Sequence, residues 1–158
     1  MPIIQADRLT RIGAALLKAA GASDEEANAV AVGCVNANLA GHDSHGAIAI
    51  PTYIDRVKAG HIVPGAKWTI VQESPTTTVI DGHWGFGFHV NTKAMELTIA
   101  KARTANVAAC TVFRQSHVGR LAGAGAALRR LRTDVPFLRP HRRHRLGHDR
   151  FEDPRRPG

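Results

Sequence analysis

Two short segments hold the residues best suited to proton chemistry: "GHDSHG", residues 41–46, and "RQSHVG", residues 114–119. Each sets a histidine directly after a serine and just ahead of a glycine, His45 between Ser44 and Gly46, and His117 between Ser116 and the pair Val118-Gly119. Imidazole exchanges a proton near neutral pH, and oxidation of an alcohol needs such a group to take the hydroxyl proton as hydride leaves carbon. A serine beside a histidine can fix its tautomer or bind a substrate oxygen, while a glycine lets backbone approach a ligand. The histidines His61, His83 and His89 stand in polar or glycine-rich surroundings that suit solvated loops or a helix start. On spacing alone, a solvated turn remains the simpler reading of the two serine-histidine pairs as well.

The elements that must position these pairs are legible from periodicity. A first amphipathic helix spans about residues 6 to 20 and stops at Gly21. Ser23 followed by Glu26 is a capping-box signature, with Ala27, Val30, Ala31 and Cys34 at helical spacing and Gly41 as the stop. A third helix covers roughly residues 48 to 58. After "HIVPG" come two short β-rich runs, "WTIVQE" and "TTTVID", that read as adjacent strands. "DGHWGFG" then reads as a glycine-rich connection, "FHVNTKAMELTIAKARTA" as a helix and "VAACTVF" as a buried strand that empties into "RQSHVGR". This order predicts an α/β class of the mixed α+β kind. It divides into a helical N-terminal segment over 1–60, a partial α/β cofactor and substrate domain over 61–128, and a disordered Arg-rich tail over 129–158.

Composition excludes some functions and leaves others open. The chain has 158 residues, 44% of them apolar, enough for one modest core. No apolar run has transmembrane length and no leader is recognisable, so the expectation is a cytoplasmic protein without membrane contact. Cys34 and Cys110 lie in apolar patterns without metal-ligand spacing; they read as reduced core thiols, with no metal site. The net charge of +8 is uneven, because residues 1–128 hold 11 Lys and Arg against 9 Asp and Glu while residues 129–158 hold 10 against 4. All ten of those basic tail residues are arginines, mixed with repeated His and Pro. That composition suits an out-of-frame reading of a GC-rich gene better than an evolved basic arm. "GRLAGAGAAL" places Gly123 and Gly125 suggestively, but Leu128 stands where a dinucleotide fingerprint needs its third glycine, so a small-residue helix start is the better reading.

From about residue 11 to 126 the chain resembles the malate/L-lactate dehydrogenase family, a non-Rossmann group that also includes ureidoglycolate, sulfolactate and piperideine-carboxylate oxidoreductases. The motifs that carry the likeness are "DSHGAIAIPTYIDRVKAGHIVPGA", "VIDGHWGFG", "KAMELTIAKA" and "RQSHVGRLAG". The resemblance implies hydride transfer between a small 2-hydroxy acid and NAD or NADP. It makes Ser44 and His45 active-site residues and His117 the general acid/base, assigns no cofactor-binding residue, and implies a homodimer for the intact enzyme. The family commonly has an arginine four residues after the first of these histidines, apt for gripping a carboxylate, where this chain has Ala49. The family's continuation beyond "GRLAG", including a glycine-rich segment that helps hold nicotinamide, is not recognisable here. The expectation is therefore a truncated, catalytically incomplete fragment with a frameshifted tail. The alternative is a nucleic-acid-binding protein acting through that tail, whose only aromatics are Phe137 and Phe151.

Overall fold

A computed structural model describes residues 3–121 of the chain. The small-residue segment that follows and the Arg-rich stretch 129–158 lie outside the described residues. Helix α1 (Ala6–Ala19) packs on α2 (Asp24–Leu39), and α3 (Ile50–Lys58) packs against α1. The capping box at Ser23 is present: Glu26 N–H donates to Ser23 Oγ at 3.3 Å and Ser23 N–H donates to the Glu26 carboxylate at 2.9 Å. Both oxygens of that carboxylate also lie 3.0 Å from Gly65 N, so this buried side chain clamps the "VPG" turn to the start of α2. Glu26→Ala leaves two backbone donors without their acceptor and is expected to cost about 2–3 kcal/mol; Ser23→Ala costs about 1 kcal/mol. Urea denaturation of the two variants beside the parent chain measures both.

Ala27, Val30, Ala31 and Cys34 of α2 are all fully buried, as their spacing predicts. They pack with Leu17, Ile50, Tyr53, Ile62 and Phe86 in the main apolar cluster. Each large side chain withdrawn from water there contributes about 1.5–3 kcal/mol. Phe86 sits just beyond the second strand, so this cluster joins the helices to the end of the sheet.

The sheet holds β1 (Thr69–Glu73), β2 (Thr77–Gly85) and β3 (Ala109–Gln115) in that spatial order. β1 runs antiparallel to β2, as the turn between them requires, and β3 runs parallel to β2 after crossing over through α4 (Gly87–Ala105). The result is the mixed α+β arrangement expected from the order of elements. α4 covers one face with Val90, Ala94 and Leu97 against Ile80, Cys110 and Val112.

Three local readings need correction. The segment read as a helix from residue 48 begins in a one-turn 3-10 segment, Ala47–Ala49, which follows another at Asp43–His45, before α3 starts at Ile50. β2 continues through "DGHWG" instead of ending at Asp81. β3 is not a buried strand: its residues alternate between exposed and half-buried, because among the described residues only α4 covers it. Cys110 accordingly lies at the margin of the core, whereas burial pushes the Cys34 thiol up to about 11.

Candidate active site

Two turns and a bulge bring the separated serine-histidine pairs together. Gly41, at φ 73°, lets α2 end and the chain reverse, with His42 N–H donating to Ala37 O at 2.8 Å. The chain then winds through Asp43–His45 under the control of Asn38, a residue that periodicity did not single out. Asn38 Nδ2 donates to Asp43 at 2.6 Å, and its carbonyl oxygen accepts from Ala47 N–H at 2.8 Å. The same amide occupies the space a side chain at residue 46 would need. Gly46 is thus required by its own chain, and so is Gly119, which the Phe88 ring meets.

The second pair is placed by the bulge in β2. Pairing with β3 holds at Asp81↔Phe113 and resumes at Gly85↔Gln115, so three residues of β2 face one of β3. His83, Trp84 and Arg114 take positive φ there, 46°, 61° and 48°, a conformation costing roughly 1–2 kcal/mol per side chain-bearing residue. Asp81 holds it: the buried carboxylate accepts from His83 N–H at 3.0 Å and from Arg114 Nε at 3.0 Å, with Arg114 Nη2 on its second oxygen. The Arg114 guanidinium is the main reason that this carboxyl is pulled down to about 2. A depressed carboxyl stabilises the fold above its unfolded value of about 4, and the benefit is lost as pH falls toward 2. Asp81→Asn is therefore expected to flatten the loss of stability between those pH values, which acid titration followed by circular dichroism reads directly.

Past the bulge, Ser116 N–H donates to Gly85 O at 3.1 Å and Ser116 Oγ accepts from Gly87 N–H at 2.9 Å. Ser116 therefore fastens the end of β3 to the start of α4, a different task from the tautomer or substrate contact its place beside His117 suggests. Its neighbour His117 enters the space above α3. There His117 Nδ1 lies 2.8 Å from the Tyr53 hydroxyl, and the His45 ring centroid lies 5.5 Å from that of His117. Ser44 Oγ in turn lies 3.0 Å from His45 Nδ1. Ser44, His45 and His117, the residues marked in the sequence, are thus gathered in one place from segments more than sixty residues apart. His61, His83 and His89 are elsewhere; His83 lies 2.9 Å from Thr69 Oγ1 on β1.

An open pocket of about 450 Å³ lies here. Ser44, Thr52, Tyr53, Arg56 and His117 supply its polar groups, and Ile48 and Ala49 its apolar wall. Burial, then the charge of His45, then that of Arg56 hold the His117 imidazole below its ordinary pKa. Tyr53 is 2% exposed, and burial pushes its phenol up to about 12. Its ring stands edge-on to Phe88, with centroids 5.9 Å apart. Sequence reasoning did not single out Tyr53 and Arg56 as site residues; their signal is that they follow Ala49 at helical spacing in "AIPTYIDR", within a motif that carries the family likeness. Among the described residues no group of His, Cys, Asp or Glu is arranged to hold a metal ion, and no helix is long and apolar enough to cross a membrane.

The profile of the family described as malate/L-lactate dehydrogenase matches residues 4–129. The chain belongs to that family. It is 42% identical over 104 residues to the L-sulfolactate dehydrogenase of Methanocaldococcus jannaschii, a match covering 66% of this chain and 30% of that protein. It is 36% identical over 107 residues to hydroxycarboxylate dehydrogenase B of Escherichia coli K12, covering 68% of this chain and 30% of that one. Among solved structures, the M. jannaschii sulfolactate dehydrogenase superposes with a TM-score of 0.78 at 36% identity over 80% of this chain and 37% of that one. The malate dehydrogenase of Pyrococcus horikoshii does so at 0.77 and 28% identity, over 78% and 36%. The chain thus spans about 30% of the length of the curated relatives it matches.

Proposed function

We propose that this chain carries the substrate-binding and proton-transfer side of an oxidoreductase that moves a hydride between a small 2-hydroxy acid and NAD or NADP. The observation that carries the reading is the Tyr53–His117 pair, 2.8 Å apart, beside His45 on a pocket sized for a compact acid. In oxidation the substrate's C2 hydroxyl gives its proton to the free ring nitrogen of His117. With Nδ1 protonated and donating to the Tyr53 oxygen, Nε2 is left with the lone pair that takes it. The low proton affinity of His117 keeps it neutral at pH 7 and ready as a base. His45, backed by Ser44, orients the reacting groups and, by its nearness, disfavours a second positive charge on His117. Tyr53 acts as a positioning residue. Tyr53→Phe is expected to lower kcat about tenfold and to move the acid limb of the pH profile, with KM little changed.

The glycine-rich segment ahead of α4 is not open to a dinucleotide. Gly82 and Gly87 of "DGHWGFG" face their own chain: a Cβ on Gly82 would stand 2.9 Å from Arg114 O, and one on Gly87 would stand 2.6 Å from His117 O and nearer still to Ser116 O. The N–H that opens α4 is already given to Ser116 Oγ. Those glycines and the first N–H of α4 are therefore not free to cradle a phosphate, and the pocket's own groups serve the acid and the proton.

Two features support reading residues 129–158 as a shifted frame. The family match ends at 129, and the all-arginine basic composition begins there. The complete enzyme would be a homodimer, as the family resemblance implies. Continuing the gene in its neighbouring frame beyond residue 126 and assaying lactate, malate and sulfolactate with NAD and NADP tests the reading. Nicotinamide reduction with one of these acids supports it; a folded, extended product inert toward 2-hydroxy acids with either nucleotide would overturn it.

A further inference from the structure

We propose that Arg56 is the residue that grips the substrate carboxylate in this protein. The inference rests on reading the pocket as a 2-hydroxy-acid site. Such an acid needs two anchors, a proton acceptor at its hydroxyl and a cation at its carboxylate. Among the described residues that line the pocket, Arg56 carries the one fixed positive charge. Its place follows from helix geometry: Ala49, Thr52, Tyr53 and Arg56 recur at spacings of three and four, which sets them on one face. Tyr53, in the middle of that face, is bonded to His117, so the face that presents Arg56 is turned toward the imidazole.

The guanidinium is available for this role. Arg56 is exposed, and among the described residues it forms no ion pair, in contrast to Arg114, which Asp81 engages. A planar fork can hold a carboxylate through two parallel N–H···O bonds. The Thr52 hydroxyl, one turn earlier on the same face, offers a further donor to the same anion. Ala49 precedes Arg56 by seven residues, about 10.5 Å along the helix axis at 1.5 Å per residue, so the acid's charged end lies toward the far end of α3. A methyl group at residue 49 then leaves room for the part of the substrate that carries no charge. The charge on Arg56 also reaches His117, whose proton affinity it lowers. A carboxylate seated on Arg56 cancels that effect, so acid binding and the readiness of the base are coupled.

The 158-residue chain is tested by NMR, following the His117 imidazole signal, assigned by its loss in His117→Asn, through pH titrations with oxamate and with lactamide. Oxamate carries the carboxylate and lactamide does not. In the parent chain, oxamate should saturate and raise the His117 midpoint. Arg56→Gln should weaken oxamate about tenfold or more while leaving lactamide unchanged, and Arg56→Lys should lose less, since it keeps the charge without the fork. The free Arg56→Gln chain should itself show a raised His117 midpoint. Oxamate binding to Arg56→Gln within about twofold of the parent overturns the assignment and leaves the His117 site standing. Equal weakening of oxamate and lactamide overturns it too, as a loss of structure. A His117 signal blind to both probes in the parent chain overturns the assignment together with the reading of the pocket.

Discussion

His117→Ala, in an extended chain that oxidises a 2-hydroxy acid, is expected to lower kcat by about 10²–10⁴-fold, the usual worth of a general acid/base. KM should change little, because the carboxylate contact is retained and the lost interaction belongs to the transition state. His117 is singled out over His45 on two grounds. Its Nδ1 is held by a buried tyrosine, whereas His45 bonds to the exposed Ser44; and its affinity for a proton is depressed, whereas oxidation needs a neutral base. The pH profile carries the same sign. With the pKa lowered, kcat/KM for oxidation should hold at pH values where a free imidazole, near 6.5, is already half protonated, and should fall only below them. The folded chain also binds that proton less readily than the unfolded chain, so stability should decline as pH drops through about 6.5. Steady-state kinetics of the parent, His117→Ala and His45→Ala chains across pH decide the matter; a His117→Ala chain with near-full activity would remove the residue from its role.

The 158-residue chain itself should show no saturable binding of NADH or NADPH in the micromolar range, although Ser44, His45 and His117 are all in it. A cofactor site needs polar groups held by a supporting shell and a cavity covering most of the ligand. Here the pocket is open and about 450 Å³, and the nearby glycines and the first N–H of α4 are engaged by the chain's own backbone and by Ser116. Fluorescence enhancement of the reduced nucleotides and the shift in melting temperature are the measurements. Binding with micromolar Kd, worth about 2.7 kcal/mol of added stability at a hundredfold excess over Kd, would be plain in both, would show that the chain carries a sufficient cofactor site, and would overturn the reading of it as catalytically incomplete.

Much of the local structure is determined by the sequence alone. Ser23 with Glu26 and the period through Cys34 dictate α2, because a cap and a buried stripe are both short-range demands. The alternation between β-rich runs and a helical run dictates a mixed architecture, and the family resemblance that the serine-histidine motifs carry marks the three residues that gather at the pocket. Short-range pattern is blind where residues distant in sequence must cooperate. "DGHWG" has loop composition, yet it runs as bulged strand because Arg114, thirty-three residues on, neutralises Asp81 and pays for the positive φ angles beside it. Gly46 and Gly119 look like ligand-facing glycines, and only the fold shows that Asn38 and Phe88 fill their space. Ser44-His45 and Ser116-His117 look like equivalent pairs, but tertiary contacts send Ser44 to its histidine and Ser116 to the start of α4. Tyr53 and Arg56 read as ordinary members of an amphipathic helix until the end of β3 sets His117 over the same face of α3. Proximity between segments sixty-four residues apart, as for Tyr53 and His117, depends on how the sheet and helices pack, and it is packing that turns two separate histidines into one candidate site.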